Sequence, residues 1–208
     1  MRYANGGAKR SFDVLVATVC GLLLLPLVFA IAIVSTAAFR QSPIFAQKRI
    51  GRGGQEFVFY KLRSLPGTTP ASIDKFDLEP HLTRWGRILR RSKLDELPQL
   101  VNVLRGDMSL VGPRPEVPAL NTRLDAEFSD HRTLVRPGIT GPWQVSDAAH
   151  LLIGDGEAYD RAYLAAASPG LDLWLLWRTV AAAAGQTITF DDMDRWLARA
   201  RGSGGITA

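Results

Sequence analysis

From Phe12 to Phe39 the chain is almost wholly apolar, interrupted by Asp13, small hydroxyl residues, Gly21 and Pro26. About 20 apolar residues suffice to cross a bilayer, so this run predicts a membrane element. A cleavable signal peptide has an apolar core of roughly 7–15 residues, which is too short to match it. Lys9 and Arg10 precede the run, and Arg40, Lys48, Arg49 and Arg52 follow it. Positive charge marks the cytoplasmic side of a membrane segment, and here it marks both ends. Pro26, near the middle, removes a backbone hydrogen bond and crowds the preceding turn. The two features together predict a re-entrant helix–break–helix that dips into one leaflet and returns, broken at Pro26. A kinked helix that spans the bilayer is the alternative.

Beyond the run the periodicity changes. Short apolar and aromatic stretches on either side of Gly51, Gly53 and Gly54, from Ile44 to Leu65, predict a small β-hairpin. Pro66 to Pro80 is Pro-rich with polar filler and predicts a surface loop. In Leu82–Arg91, Leu82, Trp85, Ile88 and Leu89 fall on one helical face while Arg84, Arg87 and Arg91 share another. That pattern predicts an amphipathic helix on anionic headgroups with its Trp at the interface. Glu157 to Ala184 carries helical periodicity on both sides of Ser168-Pro169. Asp191 to Ala200 predicts a short terminal helix, with a disordered tail after it. The expected fold class is α+β and mainly helical: the membrane element over residues 1–40, a membrane-associated catalytic domain over 41–200, and a tail over 201–208.

Charge narrows the partners. The 208 residues carry a net charge of +5, which points to an anionic partner: nucleic acid, anionic lipid or a phosphorylated small molecule. The single cysteine, Cys20, excludes an intrachain disulfide. There is no CxxC, no HExxH and no Cys/His cluster, so zinc chemistry has no support.

The candidate chemistry lies at Asp95 and Glu96. These adjacent carboxylates follow Arg84, Arg87, Arg90 and Arg91 and precede Gly112-Pro113-Arg114-Pro115. Acids able to hold a metal or attack phosphorus, ringed by cations able to hold phosphate, indicate phosphoryl chemistry. One reading makes Asp95 the N-cap of a helix, where exposed amides favour its charged form. Another makes Ser92 the cap and Asp95 its capping-box partner. Flanking prolines restrict the backbone around Arg114, and its planar fork suits phosphate oxygens. Arg136-Pro137-Gly138 repeats that device, followed by a predicted short strand through Trp143-Gln144-Val145. Lys61 and Arg63 close the second hairpin strand within reach of an anion.

Asp95 to Pro115, DELPQLVNVLRGDMSLVGPRP, resembles the signature of the monotopic bacterial sugar transferases, the polyprenyl-phosphate phosphoglycosyl transferases. Lys9-Arg10 with Phe12-Asp13 is similar to that family's opening motif. Gln47, Arg49, Gly51, Gly54, Phe57, Lys61, Arg63 and Ser64 fit its second motif, and Thr83-Arg84, Gly86-Arg87 and Leu89-Arg90 its third. Arg136 to Gly141 resembles the fourth motif, and Leu171-Asp172 with Arg178-Thr179 the last. The sequence departs from the pattern at Leu25, at Pro142–Ala148 and at Ala165–Ala167.

The resemblance implies transfer of a sugar-1-phosphate from a UDP-sugar to undecaprenyl phosphate, with release of UMP. Asp95 would be the nucleophile and Glu96 its dyad partner. Mg2+, with Mn2+ as a substitute, would bind Asp95 and the diphosphate. Lys61, Arg63, Arg87, Arg114 and Arg136 would bind substrate. The protein would be monotopic at the cytoplasmic face of the bacterial inner membrane, against its lipid, with no nucleic acid partner and with a homodimer as a candidate assembly. The rival from another class is a catalytically inactive, membrane-anchored adaptor that binds anionic lipid through its basic face.

Overall fold

The computed structural model describes residues 2–69, 79–151 and 156–203. It begins with α1 (Gly7–Phe39), the one helix among the described residues long and apolar enough to cross a membrane. At 1.5 Å per residue it is about 50 Å long. Helical geometry runs unbroken through Pro26, so the interruption expected there is absent. A proline removes one hydrogen bond and bends a helix without ending it. The helix ends at Arg40, which takes a left-handed conformation and donates its N–H to Thr36 O.

Burial along α1 falls in two short stripes. Lys9, Asp13 and Ala17 are buried at one end and Ile31, Ser35 and Phe39 at the other, each set spaced four residues apart on one face. Between them Leu22, Leu23, Leu25 and Phe29 stand 60–74% exposed. The first stripe is held by charge. Lys9 Nζ lies 2.6 Å from Asp172 Oδ2, and Asp172 also accepts from Tyr3 and Tyr163 at 2.9 Å each. Asp13 accepts from Ser109 Oγ at 2.7 Å. The second stripe is apolar: Ile31 packs with Leu62 and Leu89, and Trp85 donates its indole N–H to Ser35 Oγ at 2.9 Å. Both ends of α1 therefore rest on the same globular body, while its middle is exposed.

The predicted hairpin is present. Strands β1 (Ile44–Ile50) and β2 (Glu56–Leu62) pair antiparallel, from Ile44 opposite Leu62 to Ile50 opposite Glu56. Helix α2 (Arg84–Arg91) starts two residues later than Leu82 because Thr83 caps it, accepting from Gly86 N. Trp85 faces α1 rather than an outer interface, a difference set by its bond to Ser35. Helix α3 (Gln99–Arg105) is joined to β2 by the buried Asn102, which accepts from Tyr60 N and donates to Val58 O. Strand β3 (Ser109–Val111) runs parallel to β4 (Gly138–Thr140), a pairing the sequence did not predict. Between them lie α4 (Pro118–Asn121) and α5 (Ala126–Thr133).

After β4 the segment Pro142–Val145, expected as a strand, is a short helix, α6. The helices α7 (Glu157–Ala166) and α8 (Pro169–Ala183) divide at Ser168 as expected, and its hydroxyl caps α8 at Leu171 N. Helix α9 (Phe190–Ser203) runs into the expected tail, so the helix continues past Arg201. The remainder of that tail and most of the loop expected over 66–80 fall outside the described residues. The main core gathers Val103, Met108, Tyr163, Leu171, Leu175 and Met193 beneath the β3–β4 pair.

Candidate active site

The two carboxylates sit on a tight turn between α2 and α3. Ser92 is the C-cap of α2, and its hydroxyl bonds back to Ile88 O and Leu89 O. Lys93 then adopts a left-handed conformation (φ 59), and Leu94–Glu96 form one turn of 3-10 helix. Neither capping arrangement expected for Asp95 occurs: Ser92 ends the preceding helix, and Pro98 occupies the N-cap position of α3. Leu94 packs into the apolar cluster with Leu62 and Leu89, which turns Asp95 inward. Asp95 is 3% exposed.

Strand β2 delivers Lys61. Its Nζ donates to Glu96 Oε1 at 2.6 Å and stands 3.9 Å from Asp95 Oδ2. Arg114 Nη1 approaches Glu96 Oε1 at 3.7 Å. From α2, Arg90 donates Nε to Ser64 Oγ at 2.9 Å, with its charge beside Asp95. That alignment requires Gly86, since a Cβ there would lie 2.0 Å from Ser64 O. Lys93 adds a fourth cation acting on both acids. Two carboxylates faced by four cations leave a net positive centre able to hold phosphate.

The two acids are pushed in opposite directions. Burial raises Asp95, with Lys61 opposing and Glu96 reinforcing. Burial also acts to raise Glu96, but Lys61, Arg114 and Lys93 outweigh it and hold this carboxyl down at about 2. Burial lowers Lys61, against the pull of both acids. The dyad is thus divided into a firmly ionised Glu96, paired with Lys61, and a more basic Asp95 beside it. Environments that separate two neighbouring acids in this way commonly separate their chemical roles.

Among the expected binding residues, Lys61 and Arg114 are brought to the carboxylates. The other three are engaged elsewhere. Arg63 Nε bonds Ser42 O at 2.8 Å, and Arg87 Nε pairs with Glu79 at 2.9 Å on the exposed face of α2. Arg136 Nε bonds Gly106 O at 2.8 Å, beside Arg10, which donates to Val103 O and Leu104 O. Helix α3 ends in exposed carbonyls, and these two guanidiniums satisfy them. Arg90 takes the place that sequence reasoning gave to more distant arginines. Its signal was spacing: it lies one turn before the left-handed Lys93, on the α2 face that turns toward Asp95.

No group of three or more His, Cys, Asp or Glu side chains suited to a metal occurs among the described residues. Asp95 and Glu96 offer hard oxygen ligands, and Lys61 engages Glu96. Mg2+ usually takes only one or two carboxylates and completes its shell with water and substrate phosphates. Asp95 is the residue that would hold a Mg2+ or Mn2+ ion here, which would supply charge neutralisation for phosphate oxygens.

Residues 4–186 match the family model described as bacterial sugar transferase. The chain belongs to that family. It is 39% identical to a UDP-glucose:undecaprenyl-phosphate glucose-1-phosphate transferase of Caulobacter vibrioides, over 82% of this chain and 64% of that protein. It is 34% identical to the exopolysaccharide production protein ExoY of Rhizobium meliloti, over 88% of each. A third relative, the UDP-N-acetylgalactosamine-undecaprenyl-phosphate N-acetylgalactosaminephosphotransferase of Aeromonas hydrophila, is 35% identical over 83% of this chain. This chain spans 42% of that relative's length.

Proposed function

We propose that this protein transfers a sugar-1-phosphate from a UDP-sugar to undecaprenyl phosphate at the cytoplasmic face of the bacterial inner membrane. The observation that carries the reading is the buried Asp95, made more basic beside a Glu96 held ionised by Lys61 and Arg114. The relatives' names supply the substrate classes.

In the first step an Asp95 carboxylate oxygen attacks the phosphorus that bears the sugar. The bond from that phosphorus to the bridging oxygen breaks, and UMP leaves with the electron pair. A phosphate oxygen of the lipid then attacks the same phosphorus and Asp95 departs as a carboxylate, leaving the sugar C1–O bond intact throughout. Burial strips water from Asp95, which favours its use as a nucleophile over hydration. Lys61, Arg90 and Arg114 neutralise the phosphate oxygens as charge moves onto UMP. Glu96 fixes Lys61 and keeps its ammonium charged. A divalent ion held by Asp95 and the diphosphate would supply further charge neutralisation at the leaving group.

The contacts of α1 support this topology. Lys9 and Asp13 near one end and Ile31 and Ser35 near the other all touch the body that carries Asp95. This supports a re-entrant α1 whose exposed middle lies among lipid chains and whose ends stay on one side.

The deciding experiment measures UMP release from a panel of UDP-sugars with undecaprenyl phosphate and Mg2+, beside Asp95→Asn. Release with one donor, lost in the variant and on chelation, is the expected result. An Asp95→Asn protein that retains wild-type turnover would remove the nucleophile. Silence across the panel from folded, membrane-bound protein would favour the adaptor reading.

A further inference from the structure

The segment that carries Arg114 is held by its carbonyls. Pro113 O accepts from Gly138 N at 2.9 Å, and Arg114 O accepts from Arg132 Nη2. Pro115 O accepts from Arg49 Nη1 at 3.2 Å, and Glu116 O accepts from Ile50 N at 2.8 Å. Four consecutive carbonyls are therefore taken by donors from three parts of the fold: β4, α5 and β1. Prolines at 113 and 115 remove two amide donors from the same stretch, so its position depends on what is donated to it.

Arg132 is the donor nearest the functional side chain. It lies on α5, 6% exposed, with its guanidinium over the Phe128 ring at 5.2 Å. Its Nε stands 3.3 Å from Oδ2 of Asp160, a fully buried residue of α7. Charge alone does not explain so deep a pair, because desolvating two ions costs about what their attraction returns. The arrangement has a directional result: Asp160 draws the Nε side of the guanidinium by charge, without a hydrogen bond, while Nη2 donates to the Arg114 carbonyl. We propose that Arg132, held by Asp160, is a positioning residue that fixes the Arg114 backbone so that its guanidinium meets the phosphate at Glu96. The inference rests on the phosphate-binding role proposed for Arg114.

The test uses Arg132→Lys, which keeps a cation against Asp160 but lacks a planar fork able to serve the carbonyl at the same time. It is read alone and combined with Arg114→Met in full-length protein. Misplacement of a binding group by about 1 Å costs up to about 100-fold. Arg132→Lys should therefore lower kcat/KM by about 10–100-fold with an unchanged melting temperature. In the Arg114→Met background the same change should cost less than about twofold, since residues acting through one another are not additive. UDP affinity by calorimetry provides a second reading that needs no turnover, and the same non-additivity is expected there. Equal losses in both backgrounds, or an Arg132→Lys protein that binds UDP and turns over like wild type, would overturn the inference. Unfolding of Arg132→Lys would also overturn it, since the residue would then be structural. Wild-type protein that binds UDP with the expected coupling but transfers nothing would sink the proposed reaction and leave this inference standing.

Discussion

Lys61 Nζ lies 2.6 Å from Glu96 and 3.9 Å from Asp95, so one ammonium serves the two neighbouring acids unequally. Removing it should therefore affect them differently. Lys61→Met leaves Glu96 buried with Arg114 at 3.7 Å as its close ion-pair partner. Losing an electrostatic stabiliser of a developing charge costs about 100–1,000-fold in kcat. Lys61→Met should fall in that range in the UMP-release assay, with UDP-sugar KM rising as well. A variant within about threefold of wild type would exclude Lys61 from the reaction centre.

Glu96 also has a stability signature. Its folded value of about 2 lies below the ordinary 4.5. A lowered carboxylate contributes stability that is present above its unfolded value and is lost as pH falls through its folded value. The window therefore runs from 4.5 down to about 2. Across it wild type should lose on the order of 3 kcal/mol more than Glu96→Gln in denaturant unfolding. Asp95, whose value is raised, acts in the opposite sense in both proteins. Superimposable pH profiles would show that Lys61 and Arg114 do not hold Glu96 ionised.

Asp160 behaves in reverse. Burial raises it to about 6 against the pull of Arg132, with Glu116 adding to the rise. The fold then favours its neutral form: this contribution is fully present below 3.8 and is lost as pH rises through about 6. Asp160→Asn should remove a pH-dependent loss on the order of 3 kcal/mol over that interval, measured by unfolding at stepped pH. A wild-type profile that is flat there would mean that Arg132 fully compensates the buried charge.

The clamp at the start of α1 can be broken in two ways. Asp172→Ala leaves the buried Lys9 only its longer 3.7 Å contact with Asp13 and removes the acceptor of Tyr3 and Tyr163. The expected cost is about 3–5 kcal/mol, read as a lower melting temperature in detergent. Lys9→Met combined with Asp172→Asn should recover much of it, because the cation and its closest acid are then removed together, while Asp13 keeps its bond from Ser109. A double variant no better than the single would assign the cost to the tyrosine bonds instead.

Arg87 and Arg90 are three residues apart on α2 and face different surroundings. Arg87 pairs with Glu79 in solvent, and exposed pairs contribute little. Arg90 is fixed by Ser64 beside Asp95. Arg90→Gln should reduce turnover by at least about tenfold and Arg87→Gln by less than about threefold. The opposite order would move the phosphate site to the outer face of α2.

Local pattern carried some of this architecture and not the rest. The apolar run of α1, the glycine-turned hairpin and the α7–α8 division at Ser168 are written in neighbouring residues, and they were legible. The β3–β4 pairing joins short segments 29 positions apart in register, Ser109 with Gly138, and has no local signal. The acids could be found, because charge density around Asp95 and Glu96 is visible in one dimension. Arg114 could be found as well, but the other arginines could not, because Arg136 is drawn to the carbonyl end of α3 and Arg90 is held beside Asp95 by Ser64. Arg132 and Asp160 gave no sign at all, since each looks like an ordinary polar position on a short helix.

Seating both ends of α1 on the body that carries Asp95 makes the helix a depth gauge. In the proposed topology its exposed middle would lie in the lipid, and two fixed ends would hold the carboxylates at one height above the hydrocarbon. An acceptor whose phosphate travels in the plane of the membrane then meets them by lateral diffusion alone. In such an arrangement, loosening either seat should scatter that height and slow the lipid half of the reaction before it touches the nucleotide half.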